Sequence, residues 1–389
     1  MIEPAFSKKE KKEIRKQFPY LNNGSIYLNH AAISPLSTGV NGAIRQFLND
    51  RHEDSVENFE RWMSRVEDTR KLIGDFIGAE SPDQITFMGN TSEAISAVAE
   101  GFDWKEHDEI ILNTLEFPSN IHPFRILENR GVRLIYVEPD KDGIIQPEAL
   151  EHVITSNTKM LSISAVQYLS GLKANLKKIG EICKKHRIFF VVDGIQALGA
   201  TNINVKDFGI DALASGCHKW LMAPMGIGFL YLSEKLQLSL SPYKTGWLSV
   251  TNPWQLSDFD QDWLPVSKHL EVGTLNIIGI EGLHASLRDF NKTGPEAIFN
   301  EVKTLNRYLF EKLSAHPKVA LLTPGNEEYR AGIVTFSIDD ENDTDGVVKK
   351  LNKEKKITIT ARQGWYRISP HYYNTTEELD LVLKELLPS

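Results

Sequence analysis

Lys219 stands in the run SGCHKWLMAPMGIGFLY, with Trp220, Leu221, Met222 and Ala223 directly after it. Apolar surroundings favour the neutral amine, and a neutral amine can attack a carbonyl and form a Schiff base. Asp193 lies upstream in VVDGIQALGA, just past the apolar run IFFVV, so a strand would deliver its carboxylate to the same pocket. An amine to hold an aldehyde and an acid to hold a protonated ring nitrogen are what pyridoxal phosphate requires of a protein. Gln196 shares the carboxyl end of that strand, where open α/β sheets place their ligands, and could donate to the cofactor's phenolic oxygen. The plain alternative, an aspartate capping a turn, does not account for the partnership with Lys219.

Other motifs supply weaker signals. Gly89-Asn90-Thr91-Ser92 follows ITFM and opens a helix, so its N–H groups and hydroxyls suit a phosphate, although an ordinary helix cap has the same composition. His218 adjoins Lys219; alone it reads as a structural histidine, and beside a Schiff-base lysine as a phosphate ligand. Gly226-Ile227-Gly228 precedes a strand where a nicotinamide-dinucleotide fingerprint requires a helix, which excludes that reading. Arg367, between Tyr366 and Ile368, suits bidentate binding of a carboxylate or an internal ion pair. Cys183 falls on the apolar face of Leu176, Ile179 and Ile182 and reads as core. No His or Cys spacing resembles a metal site.

The elements that must position these groups alternate. ITFM (85–88), EIILN (109–113), RLIYV (133–137), KMLSISAV and IFFVV read as strands separated by helices near 91–100, 119–130, 147–154 and 175–187. Repeated βαβ predicts a mostly parallel sheet covered on both faces. DALAS and GIGFLYL lack a helix-length connection, which predicts one antiparallel strand. A helix pattern near 273–315 ends this region. ALL at 320–322, GIVTFSI, ITIT, WYRIS and a final helix through Glu377–Leu386 then form a smaller α+β unit, on which the N-terminal helix is expected to pack.

The chain has 389 residues, of which 41% are hydrophobic, enough for two domains and a substantial core. Its formal charge of −8 argues against a nucleic-acid partner, and the basic run Lys8 to Lys16, interleaved with Glu10 and Glu13, reads as a solvated helix face. Cys183 and Cys217 are too few for a disulfide framework, and the charged start MIEPAFSKKEKKEIRKQF lacks a signal core. A cytoplasmic enzyme without a membrane span is the expectation.

GNTSEAI, LEFPSN, VVDGIQALGA, SGCHKWLMAPMGIGFLYL, EVGTLN and RISPHYYNT occur in the order found in class V pyridoxal-phosphate aminotransferases, which the chain resembles over nearly its whole length. That group also holds cysteine desulfurases, kynureninases and isopenicillin N epimerase-like proteins. The resemblance implies fold type I, with a large domain at 25–290 and a small domain formed by 1–24 and 291–389. It implies that Lys219 forms the Schiff base, Asp193 pairs with the ring nitrogen, Gln196 meets the phenolate, and Thr91, Ser92 and His218 hold the phosphate. Thr274 in EVGTLN would reach the phosphate of a neighbouring subunit in a homodimer with shared sites, and Arg367 would bind the substrate α-carboxylate.

The chain departs from this pattern in places. Phe117 stands where desulfurases carry a histidine over the ring, so it can stack but exchanges no proton. KKITITARQGWYRIS lacks the desulfurase cysteine. Tyr168 replaces an asparagine common near the cofactor, and Gly216 replaces a phosphate-binding serine, with Ser215 or Cys217 as candidate substitutes. Gln196 stands where kynureninases usually have histidine, whereas HKWLMAP is similar to the epimerase-like branch. His30, Ala31, Tyr168 and Trp247 are candidates for the substrate wall, each with a packing explanation as well. The expected activity is amino transfer from an amino acid after Lys219 removes its Cα proton. The same residues would serve an epimerase, a β-lyase or a kynureninase-like hydrolase, and a non-catalytic binding or assembly protein is the alternative outside enzymology.

Overall fold

Thirteen strand segments are separated by helices in the computed structural model, which describes residues 5–54, 57–339 and 341–387. The strands are β1 (Ile26–Tyr27), β2 (Ile85–Met88), β3 (Glu109–Asn113), β4 (Arg133–Val137), β5 (Thr158–Ser164), β6 (Phe189–Asp193) and β7 (Ala212–Gly216). After them come β8 (Gly228–Leu232), β9 (Val319–Leu321), β10 (Val334–Ile338), β11 (Ile357–Thr358), β12 (Thr360–Arg362) and β13 (Trp365–Ile368). The large sheet has the order β2-β8-β7-β6-β5-β3-β4. Its pairings from β4 through β7 are parallel, while β8 runs antiparallel to both β7 and β2. The short passage from Gly216 to Gly228 carries no helix, so the chain returns in the opposite direction, as expected from the sequence.

Both faces of this sheet are covered, which explains why its strands read as unbroken apolar runs. Leu161, Ile163, Phe190, Val192 and Leu213 belong to one core, which receives Leu176, Ile179 and Cys183 of the helix Leu176–His186. Met160, Val191, Ala212 and Ala214 belong to the other, beneath Ala94, Ile95 and Val98 of the helix Thr91–Gly101. Two expected helices are broken. The stretch near 119–130 is a series of short turns, Pro118–Asn120, His122–Arg125 and Ile126–Arg130, because Pro118 and Pro123 interrupt helical bonding. The pattern at 273–315 divides into Ile277–Thr293 and Pro295–Ser314. Gly294 (φ 91°) stops the first helix and Pro295 starts the second.

A second, antiparallel sheet has the order β12-β13-β10-β9, and the helices Pro295–Ser314 and Thr376–Leu386 pack on it. β1 pairs parallel with β11, and Asn29 bridges to Ser369. Residues 26–29 therefore join the C-terminal strands. The N-terminal helix Lys8–Arg15 opens with a Ser7/Glu10 capping box and docks on the C-terminal unit. Lys11 pairs at 2.6 Å with Glu301, which is 1% exposed, and Arg15 pairs at 2.8 Å with Glu378. The solvated-face reading is thus corrected for these two cations and fits Lys16, which pairs with Glu13.

Candidate active site

β5, β6 and β7 end side by side, with Ser164 opposite Asp193 and Asp193 opposite Ala214. Asp193 is 2% exposed and accepts a hydrogen bond from the Ile195 amide at 3.0 Å. Burial pushes its carboxyl up to about 7; the Ile195 amide opposes this, Glu116 adds to it and Lys219 opposes it. A carboxylate so enclosed is an unmet demand for a cation. The β7 end leads into the lysine loop, closed by hydrogen bonds from Met222 N to Lys219 O and from Ala223 N to Cys217 O, both 3.0 Å. Met222 adopts φ 52°, a left-handed conformation unusual for a side chain of its size. Lys219 is deprotonated more easily than a free lysine, its pKa brought down to about 8 mainly by burial, with Asp193 opposing and Arg367 and Arg362 contributing. Its Nζ lies 5.8 Å from the centre of the Phe117 ring.

Trp220 anchors this loop. It is fully buried and packs so closely on Gly332 that a Cβ there would lie 2.3 Å from Cη2 of the indole. Its Nε1 donates to Oε1 of Gln196 at 2.8 Å, and Gln196 Nε2 donates to Ala31 O at 2.9 Å. The indole therefore fixes which end of the amide donates, leaving one Nε2 hydrogen for a ligand. His30, expected on the substrate wall, is 0% exposed. Its Nδ1 lies 2.8 Å from Ser369 O and must donate, so Nε2 accepts from the Tyr373 hydroxyl at 2.7 Å. Both nitrogens are engaged and burial lowers the ring's pKa to about 3, so His30 joins the N-terminal segment to Ser369 and Tyr373.

Thr91 and Ser92 begin the helix Thr91–Gly101, where the first amides lack intrahelical acceptors. Asn90 caps the Glu93 amide at 3.0 Å, leaving those of Thr91 and Ser92 for an anion. The Thr91 hydroxyl accepts from Gly216 N at 2.8 Å and keeps its own proton to donate, while that of Ser92 contacts Ser119 at 2.8 Å. Gly216 ties the helix start to β7, and a Cβ there would come within 3.3 Å of both His218 Nδ1 and Ile195 Cδ1. His218 is half-buried, and burial, then the Lys219 charge, lowers its pKa. Neither candidate substitute for a serine at 216 serves: Ser215 donates to Gly216 O at 3.0 Å, and Cys217 lies in the apolar core.

On the other side of Lys219, Arg367 is 2% exposed. Its Nη1 donates to Tyr168 O at 2.6 Å, while Nε and Nη2 are buried without a partner. No carboxylate pairs with it among the described residues, so the internal ion pair left open by the sequence is not formed. Burial, then Arg362, lowers its pKa to about 10, with Tyr168 opposing. Tyr168 meets the Phe117 ring at 5.1 Å, edge to face. Thr274 is exposed and lines a 320 Å³ cavity with Phe59, Trp62 and Trp247, and none of the Lys219, Asp193 or Arg367 side chains contributes to it.

Glu116 escaped the sequence reading. It is buried and accepts from Asn113, Gln167 and the Ser164 amide on Oε1, and from Asn120 and the Ser164 hydroxyl on Oε2. This network fixes the loop that presents Phe117. An acid directly after an apolar strand, in LEFPSN, was the available signal. Glu93 was also missed: it accepts from Gly89 N at 2.7 Å and pairs with Lys244 at 2.6 Å, bracing the anion end.

A buried acid, a lysine of lowered proton affinity and an uncapped helix start fit pyridoxal phosphate: the acid suits the ring nitrogen, the amine the aldehyde and the helix start the phosphate. Comparison with known proteins agrees. The chain is 31% identical to a probable cysteine desulfurase of Borreliella burgdorferi, covering 95% of this chain and 94% of the relative. It is 27% identical to an uncharacterized aminotransferase of Bacillus subtilis, with 96% of each covered. The apo structure of a cysteine desulfurase from Thermococcus onnurineus superimposes with a TM-score of 0.87 at 28% identity over 96% of each chain. A cystine C-S lyase solved with cysteine persulfide shares the fold, with a TM-score of 0.87 at 24% identity over 95% of this chain and 99% of that one. The family model described as Aminotransferase class-V matches residues 26–382. The chain therefore belongs to the class V aminotransferase family, with the fold type I architecture and the pyridoxal 5′-phosphate cofactor of that group.

Proposed function

We propose that the protein is an aminotransferase that takes the amino group of an amino acid and passes it to a keto acid. The observation carrying this reading is the set of groups around the Lys219 amine. Asp193, Arg367 and Arg362 are the charged groups that act on it, and the nearby ring is Phe117, which holds no exchangeable proton. Pyridoxal phosphate, when bound, supplies the electron sink that acidifies the substrate Cα–H. Lys219 would remove that proton as a general base and deliver it, on the same face, to the carbon that was the cofactor's aldehyde and not back to Cα, whereas inversion at Cα would need an acid on the opposite face. Arg367 offers its free Nε and Nη2 to the α-carboxylate, and Tyr168 holds the guanidinium in place. Asp193 serves the ring nitrogen, Gln196 the phenolic oxygen, and Thr91, Ser92 and His218 the phosphate.

Relatives named cysteine desulfurase bring a persulfide route to mind, which requires a thiol able to reach substrate sulfur. The thiols of Cys183 and Cys217 are both buried, and burial pushes both pKa values up. This favours amino transfer. A second copy of the chain is the partner we assign. Trp254, 63% exposed, packs on Phe59 and Trp247 of the Thr274 cavity, and Leu256, Phe259 and Trp263 in the same segment are 72%, 93% and 63% exposed, apolar surface suited to a homodimer in which Thr274 serves the neighbouring phosphate. No helix among the described residues is long and apolar enough to cross a membrane. We assign the protein to the cytoplasm on its two free, buried cysteines.

The test is a single-turnover reaction of holoenzyme with a panel of amino acids. Keto acid stoichiometric with enzyme, and no ammonia, is expected. Release of ammonia with pyruvate, or accumulation of the D-amino acid, would replace this reading by elimination or epimerisation.

A further inference from the structure

Antiparallel pairing of β12 with β13 sets Thr360 opposite Arg367 and Arg362 opposite Trp365. Side chains two residues apart on a strand share a face, so Arg362 projects from the same face as Arg367 as its diagonal neighbour, at a Cα separation of about 7–8 Å. The turn between the strands is Gln363–Gly364, with φ of 53° and 81°, and Gln363 Nε2 reaches the Tyr168 hydroxyl at 3.4 Å. Tyr168 is thereby contacted from the turn and from β13, by Gln363 at its hydroxyl and by Arg367 at its carbonyl. The two arginines therefore share one face of the β12–β13 hairpin.

Neither has an acidic partner. Arg367 keeps two buried nitrogens unpaired, and Arg362 is exposed without an ion pair among the described residues. Both charges act on Lys219, and Arg362 acts on Arg367. Two cations held close together without an anion repel each other, and a ligand carrying two anionic groups relieves that repulsion.

Building on the amino-acid reading above, we propose that Arg362 forms a subsite for a second carboxylate, so that the preferred substrate is a dicarboxylic α-amino acid. Arg367 takes the α-carboxylate, and Arg362 takes the distal one at the solvent edge of the β12–β13 turn. The length of the substrate is then set by the spacing of the two arginines. Arg362 acts as a specificity residue through charge and bears no proton in the reaction.

The experiment titrates holoenzyme with unreactive acids: propionate, butyrate and valerate against malonate, succinate and glutarate, by calorimetry. A dicarboxylate of matching length is expected to bind about tenfold tighter or more than the monocarboxylate of equal carbon number. That advantage should vanish in Arg362→Gln. Equal affinities, or an advantage that survives Arg362→Gln, overturn the proposal. In parallel, aspartate, glutamate, cystine and alanine are compared by kcat/KM, and the ratio of each diacid to alanine should fall in the variant. The preferred diacid separates a short substrate from a long one. If no amino acid alters the visible spectrum of the cofactor, the enzyme reading itself fails; if alanine and the diacids alter it with equal affinity, only the second-carboxylate subsite fails.

Discussion

Replacing Asp193 by asparagine should stabilise the apoprotein while disabling the enzyme, and the pH dependence of that trade can be worked out. The carboxyl ionises near 3.8 in an open chain and near 7 when folded, because burial outweighs the Ile195 amide and the Lys219 charge. Below 3.8 both states hold the proton and the residue contributes no pH dependence. Between the two values the unfolded chain releases the proton and the folded protein keeps it, so stability falls as pH rises. Each unit of separation is worth about 1.4 kcal/mol, so above pH 7 the wild-type apoprotein carries a cost of roughly 4 kcal/mol that asparagine avoids. Urea denaturation of cofactor-free protein reads this directly. Between pH 5 and 6.5, where Lys219 stays charged, the advantage of Asp193→Asn should grow by about 2 kcal/mol. In the holoenzyme the order reverses: without an anion for the ring nitrogen, kcat/KM should fall by on the order of a hundredfold or more. A stability difference that does not vary with pH, or a variant that keeps wild-type turnover, would refute the assignment of Asp193 as a buried anion awaiting a cation.

Two further outcomes follow from the same pocket. Trp220→Phe removes the donor to Gln196 Oε1 and should cost about 1–3 kcal/mol in urea denaturation, with weaker cofactor retention on dialysis, because the amide then loses its fixed orientation; unchanged retention would show that the indole does not govern Gln196. The rate of cofactor capture by apoprotein should rise about tenfold per pH unit up to about 8 and then level, since burial depresses the Lys219 pKa to that value and only the neutral amine attacks. A rate that keeps rising past pH 10 would mean that Lys219 is an ordinary solvated lysine.

The parts of this site that were legible in the sequence are those governed by local order. Asp193 and Gln196 could be placed because an apolar run ends immediately before them, and strand ends are where such sheets hold ligands. The antiparallel β8 could be foreseen from a connection that lacks a helix. What stayed hidden depends on contacts between distant segments. His30 looked like a wall residue because nothing near it announces Ser369 or Tyr373 as its partners. Lys11 looked solvated because Glu301 is far along the chain. Glu116 could be seen as an acid after a strand, but beside its local donors Asn113 and Asn120 it is held by Ser164 and Gln167, on another strand and its loop. The short turns after Pro118 show the reverse case, in which local proline chemistry overrode a helical pattern.

The pairing of residues 26–29 with the C-terminal strands also sets the order in which the protein can be completed. Ile26 aligns with Ile357 and Asn29 with Ser369, and the same segment continues to Ala31, which receives Gln196, and to Ser34, whose amide reaches His218 O at 3.0 Å. The last strand of the large sheet ends at Leu232, so on a ribosome that sheet can assemble well before β11 and β13 emerge, by roughly six to twenty-seven seconds at about 5–20 residues per second. Throughout that interval residues 26–29 lack their strand partners, and Arg367 has not been made. Pairing across so many residues closes a long loop, which makes it a late event in folding. Capture of the cofactor in its finished setting therefore reports that the whole chain, from the first strand to the last, has been synthesised and joined.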